Sequence, residues 1–538
     1  MGARRSWWQT GVIYQIYPRS FADASGDGTG DLRGITSRLD YLEWLGVDAV
    51  WLSPFYPSPM ADFGYDVSDH CGVDPLFGSL EDFDALLDGA HRRGIRVIID
   101  FVPNHTSDEH PWFLESRSSR DNPKRNWYIW REPAPGGGPP NNWESIFGAS
   151  SAWEWDEKMG QYYLHTFDVK QPDLDWRNPE VREAMYGVMR FWLDRGVDGF
   201  RIDALSFLIK DEQLRDNPPN PRWRPGDPPW DRQRRVYSDD RPEVLEVVRE
   251  MRAVADGYEG DRALIGELYL PLERLMTYYG MNLDGVHLPL NFGLVQLPEW
   301  QLDAVGYLVE RYEAALAEGA WPNWVLGNHD NPRIASRLGL ARARVAHMLL
   351  LTLRGTPTCY YGDEIGMRDV EIPQELVRDP QGVKSPGYGR DPARTPMQWD
   401  AGPNAGFCPE NVEPWLPVAD DHEVVNVDAQ RGDPRSMLAL FRRLIELRRE
   451  LPALTISSYR PLDTRDGSVL AYLREHGKHR VLVALNFGAE RRVLDLSGAS
   501  DEGEVLCSTY LDRVGHLGLK ELHVRPDEGI LVLLRSDA

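Results

Sequence analysis

Cysteine is scarce in this chain, with four among 538 residues at positions 71, 359, 408 and 507. They lie far apart and form no metal-ligand spacing, and a reduced cytoplasm is the simplest home for them. Positive charge is short as well: 60 Lys and Arg face 84 Asp and Glu, for a net charge of −24. That balance excludes binding to nucleic-acid phosphates or to an anionic membrane surface, both of which need clustered cations. No apolar run approaches the roughly 18 residues of a membrane span, and the first residues hold no apolar stretch of signal-peptide length.

Aromatic residues, in contrast, are plentiful, with 19 Trp and 22 Tyr. Many fall in polar stretches, such as Trp127, Tyr128, Trp130, Trp143, Trp153 and Trp155. Any one of them is as readily a packing residue, but together they hint at stacking on sugar rings.

The chain is too long for one core, and a large domain with smaller ones attached is expected. Short β-branched runs alternate with turns and amphipathic helices, the pattern of βα units around a parallel sheet. Strands are expected at residues 12–17, 49–52, 96–101, 199–202, 264–267, 286–290, 324–327 and 358–361, and helices at 32–45, 80–93 and 179–195. Eight strands is the number that closes a TIM barrel, so an α/β fold of (β/α)8 type is predicted. Residues 104–171, rich in Trp, Pro, Gly and Asn, form too long a break for a βα linker and read as an inserted subdomain after strand three. Residues 1–103 and 172–455 then make the barrel. Irregular segments 210–241 and 369–426 are expected to shape the mouth of the site. After a helix at 434–449, strands at 468–473, 481–486 and 530–534 follow without helices between them, which predicts a C-terminal β-sandwich over residues 456–538.

Active residues of such barrels lie at the C-terminal ends of the strands. Strand three here ends in Asp100-Phe-Val-Pro-Asn104-His105, strand four runs Gly199-Phe-Arg201-Ile-Asp203-Ala204, strand five ends in Gly266-Glu267, and strand seven in Asn328-His329-Asp330. A single acid after a strand is more often a turn or capping residue. The four together, in this order, resemble the signature regions of the α-amylase family of glycoside hydrolases, family 13, and the likeness runs over nearly the whole chain.

The resemblance implies a retaining α-glucosidase with Asp203 as nucleophile, Glu267 as general acid/base and Asp330 as the third acid that holds sugar hydroxyls. Arg201, two residues before Asp203 and so on the same side of the strand, keeps the nucleophile ionised. His105 and His329 are implied as partners of glucosyl hydroxyls, with Asp100 and Asn104 supporting the scaffold. The run Asp62-Phe63-Gly64-Tyr65-Asp66 resembles the loop of exo-acting glucosidases in which Asp62 and Tyr65 would contact the terminal glucose. Gln171-Pro172-Asp173-Leu174-Asp175-Trp176 and Arg394-Thr395-Pro396-Met397-Gln398-Trp399 resemble segments of the oligo-1,6-glucosidase group, with Asp175 where Asn is usual. Arg390 is taken as the sugar-binding arginine and Arg394 as structural.

The loop of Asp23, Ser25, Asp27, Thr29 and Asp31 resembles the family's structural metal site for Ca²⁺ or Mg²⁺, although Ser25 departs from the usual Asn or Asp and the loop also reads as a metal-free Asx turn. The substrates implied are short α-glucosides, with sugars or alcohols as acceptors in transglucosylation. Small Ala204 after the nucleophile implies a preference for α-1,4 over α-1,6 linkages, which Ala204→Val would shift toward α-1,6. Trehalose synthase-like and sucrose-acting members share the same nucleophile, and α-1,6-preferring members the same segments.

Overall fold

The computed structural model describes residues 5–297, 300–464 and 469–535. Strands β1 (Ile13–Ile16), β2 (Ala49–Leu52) and β3 (Arg96–Phe101) are followed by a small antiparallel sheet of β4 (Trp130–Arg131), β5 (Trp153–Asp156) and β6 (Gln161–Leu164). The chain then returns with β7 (Gly199–Ile202), β8 (Ala263–Gly266), β9 (Leu288–Asn291), β10 (Asn323–Val325) and β11 (Thr356–Tyr360). The sequence is thus a TIM barrel: β1, β2, β3 and β7 to β11 pair in parallel and close in chain order.

Period-two alternation decides which side chains enter the barrel. Ile13, Trp51, Ile98, Ile265 and Val325 share one interior cluster. Their neighbours Tyr14, Val50, Ile99, Phe200 and Ile202 join the larger core of the protein. Arg201 lies between Phe200 and Ile202 and therefore faces inward, as do Asp203 two residues on and Glu267 two residues past Ile265.

The helices bury the other face. Leu80–Arg92 starts in a reciprocal cap between Ser79 and Asp82 and buries Phe83, Leu86, Leu87 and Ala90. Pro179–Asp194 starts with Asn178 as cap and Pro at its first turn. The helix expected over residues 32–45 is in fact two, Leu32–Ser37 and Leu39–Leu45. The Thr36 and Ser37 hydroxyls bond back to the carbonyls of Leu32 (2.8 Å) and Gly34 (2.7 Å), which bends the turn. Arg38 at the break stacks over Trp399, 4.1 Å from its ring centre.

Beyond the barrel, β12 (Ser458–Leu462), β13 (Val469–His476), β14 (His479–Asn486), β15 (Arg492–Leu494), β16 (Glu502–Ser508), β17 (Gly515–Gly518), β18 (Leu522–Val524) and β19 (Glu528–Leu534) form an all-β domain. Six of them make one sheet in the order β12-β13-β14-β19-β16-β17, and β15 pairs with β18. Val469, Leu482 and Ile530 of the large sheet pack with Leu494 and Val524 of the small one. Ser468, the expected start of the first of these strands, lies outside the described residues.

Two wholly buried arginines lie near the junction of this domain with the barrel, and one of them, Arg474, bonds across it. Arg448 donates to the carbonyls of Leu351, Leu353, Gly355 and Leu454. Arg474, on β13, donates to the Thr352 carbonyl and to the Ser457 hydroxyl.

Candidate active site

One guanidinium organises the rim. Asp100 on β3 and Arg201 on β7 are direct register partners. Nη1 of Arg201 lies 2.7 Å from Asp100 Oδ1 and 2.8 Å from Asp203 Oδ1, and Nη2 lies 2.6 Å from Glu267 Oε1. Trp51 Nε1 and the Tyr65 hydroxyl both donate to Asp100 Oδ2 at 3.1 Å. The two carboxylates that the sequence singles out for catalysis therefore sit on the two nitrogens of one fully buried fork.

After Asp203 the strand ends abruptly. Ala204 adopts the left-handed conformation, φ 47° and ψ 37°. Its peptide N–H donates to Glu267 Oε2 at 3.0 Å. A β-branched side chain at this position would meet a disfavoured backbone.

His329 and Asp330 come from the loop after β10. His329 stacks parallel to Tyr65 with ring centres 5.4 Å apart. Its Nε2 lies 2.7 Å from the Tyr65 hydroxyl and 3.2 Å from Asp330 Oδ2. Arg394 is 1% exposed and spans the His329 carbonyl (2.7 Å) and Asp330 Oδ1 (2.9 Å). Arg390 lines the cavity, 2.7 Å from Asp62, 2.6 Å from Asp379 and 3.3 Å from Asp330. His105 Nε2 lies 3.1 Å from the Tyr65 carbonyl and 3.2 Å from Gln171 Nε2, which also donates to Asp62 at 3.1 Å. Asn104 accepts from Lys210, which pairs with Asp173 at 2.6 Å.

Burial sets the charges. It pushes the Asp203 carboxyl well above its usual range, with Arg201 opposing and Glu267 and Asp100 adding to the rise. Asp100 and Asp62 are each raised to about 6 by burial, against Arg201 and Arg390 respectively. Burial acts on Asp330 too, but the guanidinium groups of Arg390 and Arg394 oppose it and hold that carboxyl below the ordinary range. Burial lowers His105 to about 4 and His329 well below its usual value, so both rings are neutral near pH 7.

These groups open into a cavity of about 490 Å³. Asp62, Tyr65, His105, Asp203, Glu267, His329, Asp330 and Arg390 all line it; Arg201 lies beneath. The Asp23 to Asp31 loop does not. Asp23 accepts from the N–H groups of Gly26 (2.6 Å) and Gly28 (2.8 Å), Asp27 from Thr29 (2.9 Å), and Asp31 from Ala24, Ser25 and Gly34. Among the described residues no three His, Cys, Asp or Glu side chains form a metal cluster. The loop's own donors are all oxygens, the chemistry a hard divalent cation takes.

The aromatic hint needs correction. Tyr128, Trp130, Trp143 and Trp153 are buried in the insertion, and none of the six residues that suggested sugar stacking lines the cavity. Tyr65, Phe147, Phe167, Phe207, Trp230 and Tyr269 do. Tyr269 was open to inference, since it lies two residues past Glu267 on the same side. Asp379, which grips Arg390, had no signal: it lies in an irregular segment, and folding alone brings it to its partner.

The chain belongs to the α-amylase family of glycoside hydrolases, since residues 15–457 match the model of the alpha amylase catalytic domain. A probable alpha-glucosidase of Rhizobium meliloti is 45% identical over 508 residues, 91% of each chain. The oligo-1,6-glucosidase of Parageobacillus thermoglucosidasius is 39% identical over 574 residues, 99% of each. Among solved structures, the alpha-glucosyl transfer enzyme XgtA superposes with a TM-score of 0.92 at 42% identity, covering 99% of this chain and 100% of that one.

Proposed function

We propose that this α-glucosidase acts from the non-reducing end of short α-glucosides and retains anomeric configuration, with Asp203 as nucleophile, Glu267 as general acid/base and Asp330 as the acid that binds sugar hydroxyls. The observation that carries the reading is the shared guanidinium, which holds Asp203 and Glu267 side by side at the cavity floor. Retention needs two carboxyl groups close enough for one to attack the anomeric carbon while the other protonates the leaving oxygen. Six carboxylates (Asp62, Asp100, Asp203, Glu267, Asp330, Asp379) face three guanidinium groups here. That excess of negative charge suits an oxocarbenium-like transition state.

Exo action is supported by the brace of Arg390 on Asp62, Asp330 and Asp379, which ties three loops together at the cavity wall. Proton NMR of maltose hydrolysis at early times is expected to show α-glucose first. β-Glucose first would overturn the double displacement. The kcat/KM for maltose is expected to exceed that for isomaltose by about tenfold, since Ala204 leaves room for a directly linked 4-position acceptor. A higher value for isomaltose would remove the linkage argument alone. An added primary alcohol is expected to divert glucosyl groups into an alkyl α-glucoside. Sucrose belongs in the same assay, because trehalulose synthase MutB is among the similar solved structures, with a TM-score of 0.89 at 34% identity, covering 98% of this chain and 100% of that one. A rearranged disaccharide in place of free glucose would move the chain to that branch.

We also propose that Asp23, Ser25, Asp27, Thr29 and Asp31 hold a structural Ca²⁺ or Mg²⁺ ion. Chelation is then expected to lower the melting temperature by a few degrees, at roughly 2–4 °C per kcal/mol, with little change in kcat. An unchanged melting temperature in excess EDTA, with no ion found by metal analysis, would show that the loop stands on its own hydrogen bonds.

A further inference from the structure

Inside the barrel, beneath the catalytic rim, lies a polar side chain in an apolar place. Gln15 follows Ile13 by two residues on β1, so alternation turns it inward, and it is the register partner of Trp51 on β2. It is 1% exposed. Its amide nitrogen donates to the Ser53 hydroxyl at 3.1 Å and lies 2.8 Å from Nδ1 of His329. On the far edge of that ring, Nε2 lies 2.7 Å from the Tyr65 hydroxyl and 3.2 Å from Asp330 Oδ2. The Tyr65 hydroxyl reaches Asp100 Oδ2 at 3.1 Å, and Asp100 Oδ1 meets Arg201. A line of hydrogen bonds thus runs from β1 through His329 and Tyr65 to the guanidinium that holds Asp203 and Glu267.

Such a line has a direction, and the neutral imidazole at its centre decides it, since one ring nitrogen donates and the other accepts. The facing groups settle which. Asp330 carries its negative charge 3.2 Å from Nε2, so a bare lone pair there would be repelled and a proton there attracted. Nδ1 must then accept, and the Gln15 amide is the donor in place beside it. We infer that Gln15 fixes the tautomer of His329, keeping its one N–H on Nε2, beside Tyr65 and Asp330, where a sugar hydroxyl enters. The inference rests on the reading of His329 and Asp330 as sugar-binding groups. With Nε2 donating, the Tyr65 hydroxyl accepts from His329 and gives its own proton to Asp100. In the opposite tautomer Nε2 is bare, and Tyr65 would turn its proton toward that nitrogen and away from Asp100. Gln15 is thus a positioning residue: it acts through His329 and, one step further, keeps Tyr65 on the acid that shares Arg201 with the two catalytic carboxylates.

Neutron diffraction from deuterated crystals of the full-length enzyme reads the tautomer directly. Deuterium is expected on Nε2 of His329 and on the Gln15 nitrogen that faces Nδ1; deuterium on Nδ1 overturns the inference. Its consequence is read by kinetics on 4-nitrophenyl α-glucoside and its monodeoxy analogues. Gln15→Met keeps the length of the side chain and removes the donor, and is expected to lower kcat/KM on the parent glucoside about tenfold, the size of one well-aimed hydrogen bond. His329→Asn identifies the sugar hydroxyl that the ring serves, as the one missing from the deoxy substrate on which it costs least. Gln15→Met is expected to spare that same substrate. In a His329→Asn background it is expected to cost about twofold or less, because no ring remains to orient. Equal costs in the two backgrounds, or a loss spread evenly over the deoxy series, overturn the inference. Should Gln15→Met fail to fold, the neutron map of the parent enzyme decides. If His329→Asn itself keeps the parent kcat/KM, it is the sugar-binding reading of His329 that fails.

Discussion

Asp203→Ala and Glu267→Gln are each expected to lower kcat on maltose by about four orders of magnitude or more, and the protein is expected to keep its fold. The loss follows from the role proposed for each carboxylate: without a nucleophile no covalent glucosyl ester would form, and without an acid the leaving sugar would depart as an alkoxide. The preserved fold follows from the ledger around Arg201. Removing Asp203 leaves that guanidinium paired with Asp100 at 2.7 Å and Glu267 at 2.6 Å. It also relieves a carboxyl that burial has pushed well above its usual range. The melting temperature of Asp203→Ala should accordingly match or exceed that of the parent, as happens where an active site is held against its own electrostatics. The double variant should be scarcely slower than the worse single one, because the two groups act as a unit. Turnover within tenfold of the parent in either single variant would sink the two-carboxylate mechanism.

Arg201 is the second position of large effect, and it separates charge from shape. A lysine carries the same charge on one nitrogen and has no fork to meet Asp100, Asp203 and Glu267 at once. Arg201→Lys is therefore expected to cost about 100-fold or more in kcat on maltose, as both catalytic carboxylates lose their common support. Arg201→Leu removes the charge itself and leaves buried carboxylates uncompensated. Breaking a buried pair in this way costs about 3–5 kcal/mol, to be read from denaturant unfolding. An Arg201→Lys enzyme with normal kcat would show that cationic charge suffices and that the fork geometry described above is incidental.

The cluster of acids and arginine at the rim was legible in the sequence because its logic is local. Asp100, Arg201, Asp203 and Glu267 each lie at a strand end, and period-two alternation settles which way they face. The barrel was legible for the same reason, since eight apolar runs of strand length recur between helices. What escaped depends on distant partners. The break at Arg38 comes from hydroxyls that bond backward and from a tryptophan far along the chain. Asp379 meets Arg390 only after the long segment folds over the mouth. The left-handed turn at Ala204 leaves no trace in residue type, because alanine is not a residue that announces positive φ as glycine or asparagine does.

Arg448 and Arg474 carry a consequence for the molecule as a mechanical whole. Both guanidinium groups are buried and bond to uncharged oxygens: those of Arg448 lie within residues 351–454, and Arg474 carries the bond from the first strands of the C-terminal sheet to the Thr352 carbonyl. Undocking would strip Arg474 of its bond to the Thr352 carbonyl, and a buried guanidinium that loses such a partner is costly. The sheet is therefore less an appendage than a keystone: barrel and sheet are expected to melt in a single cooperative step, and a chain cut before Ser457 would lose Arg474 and with it the bond to Thr352.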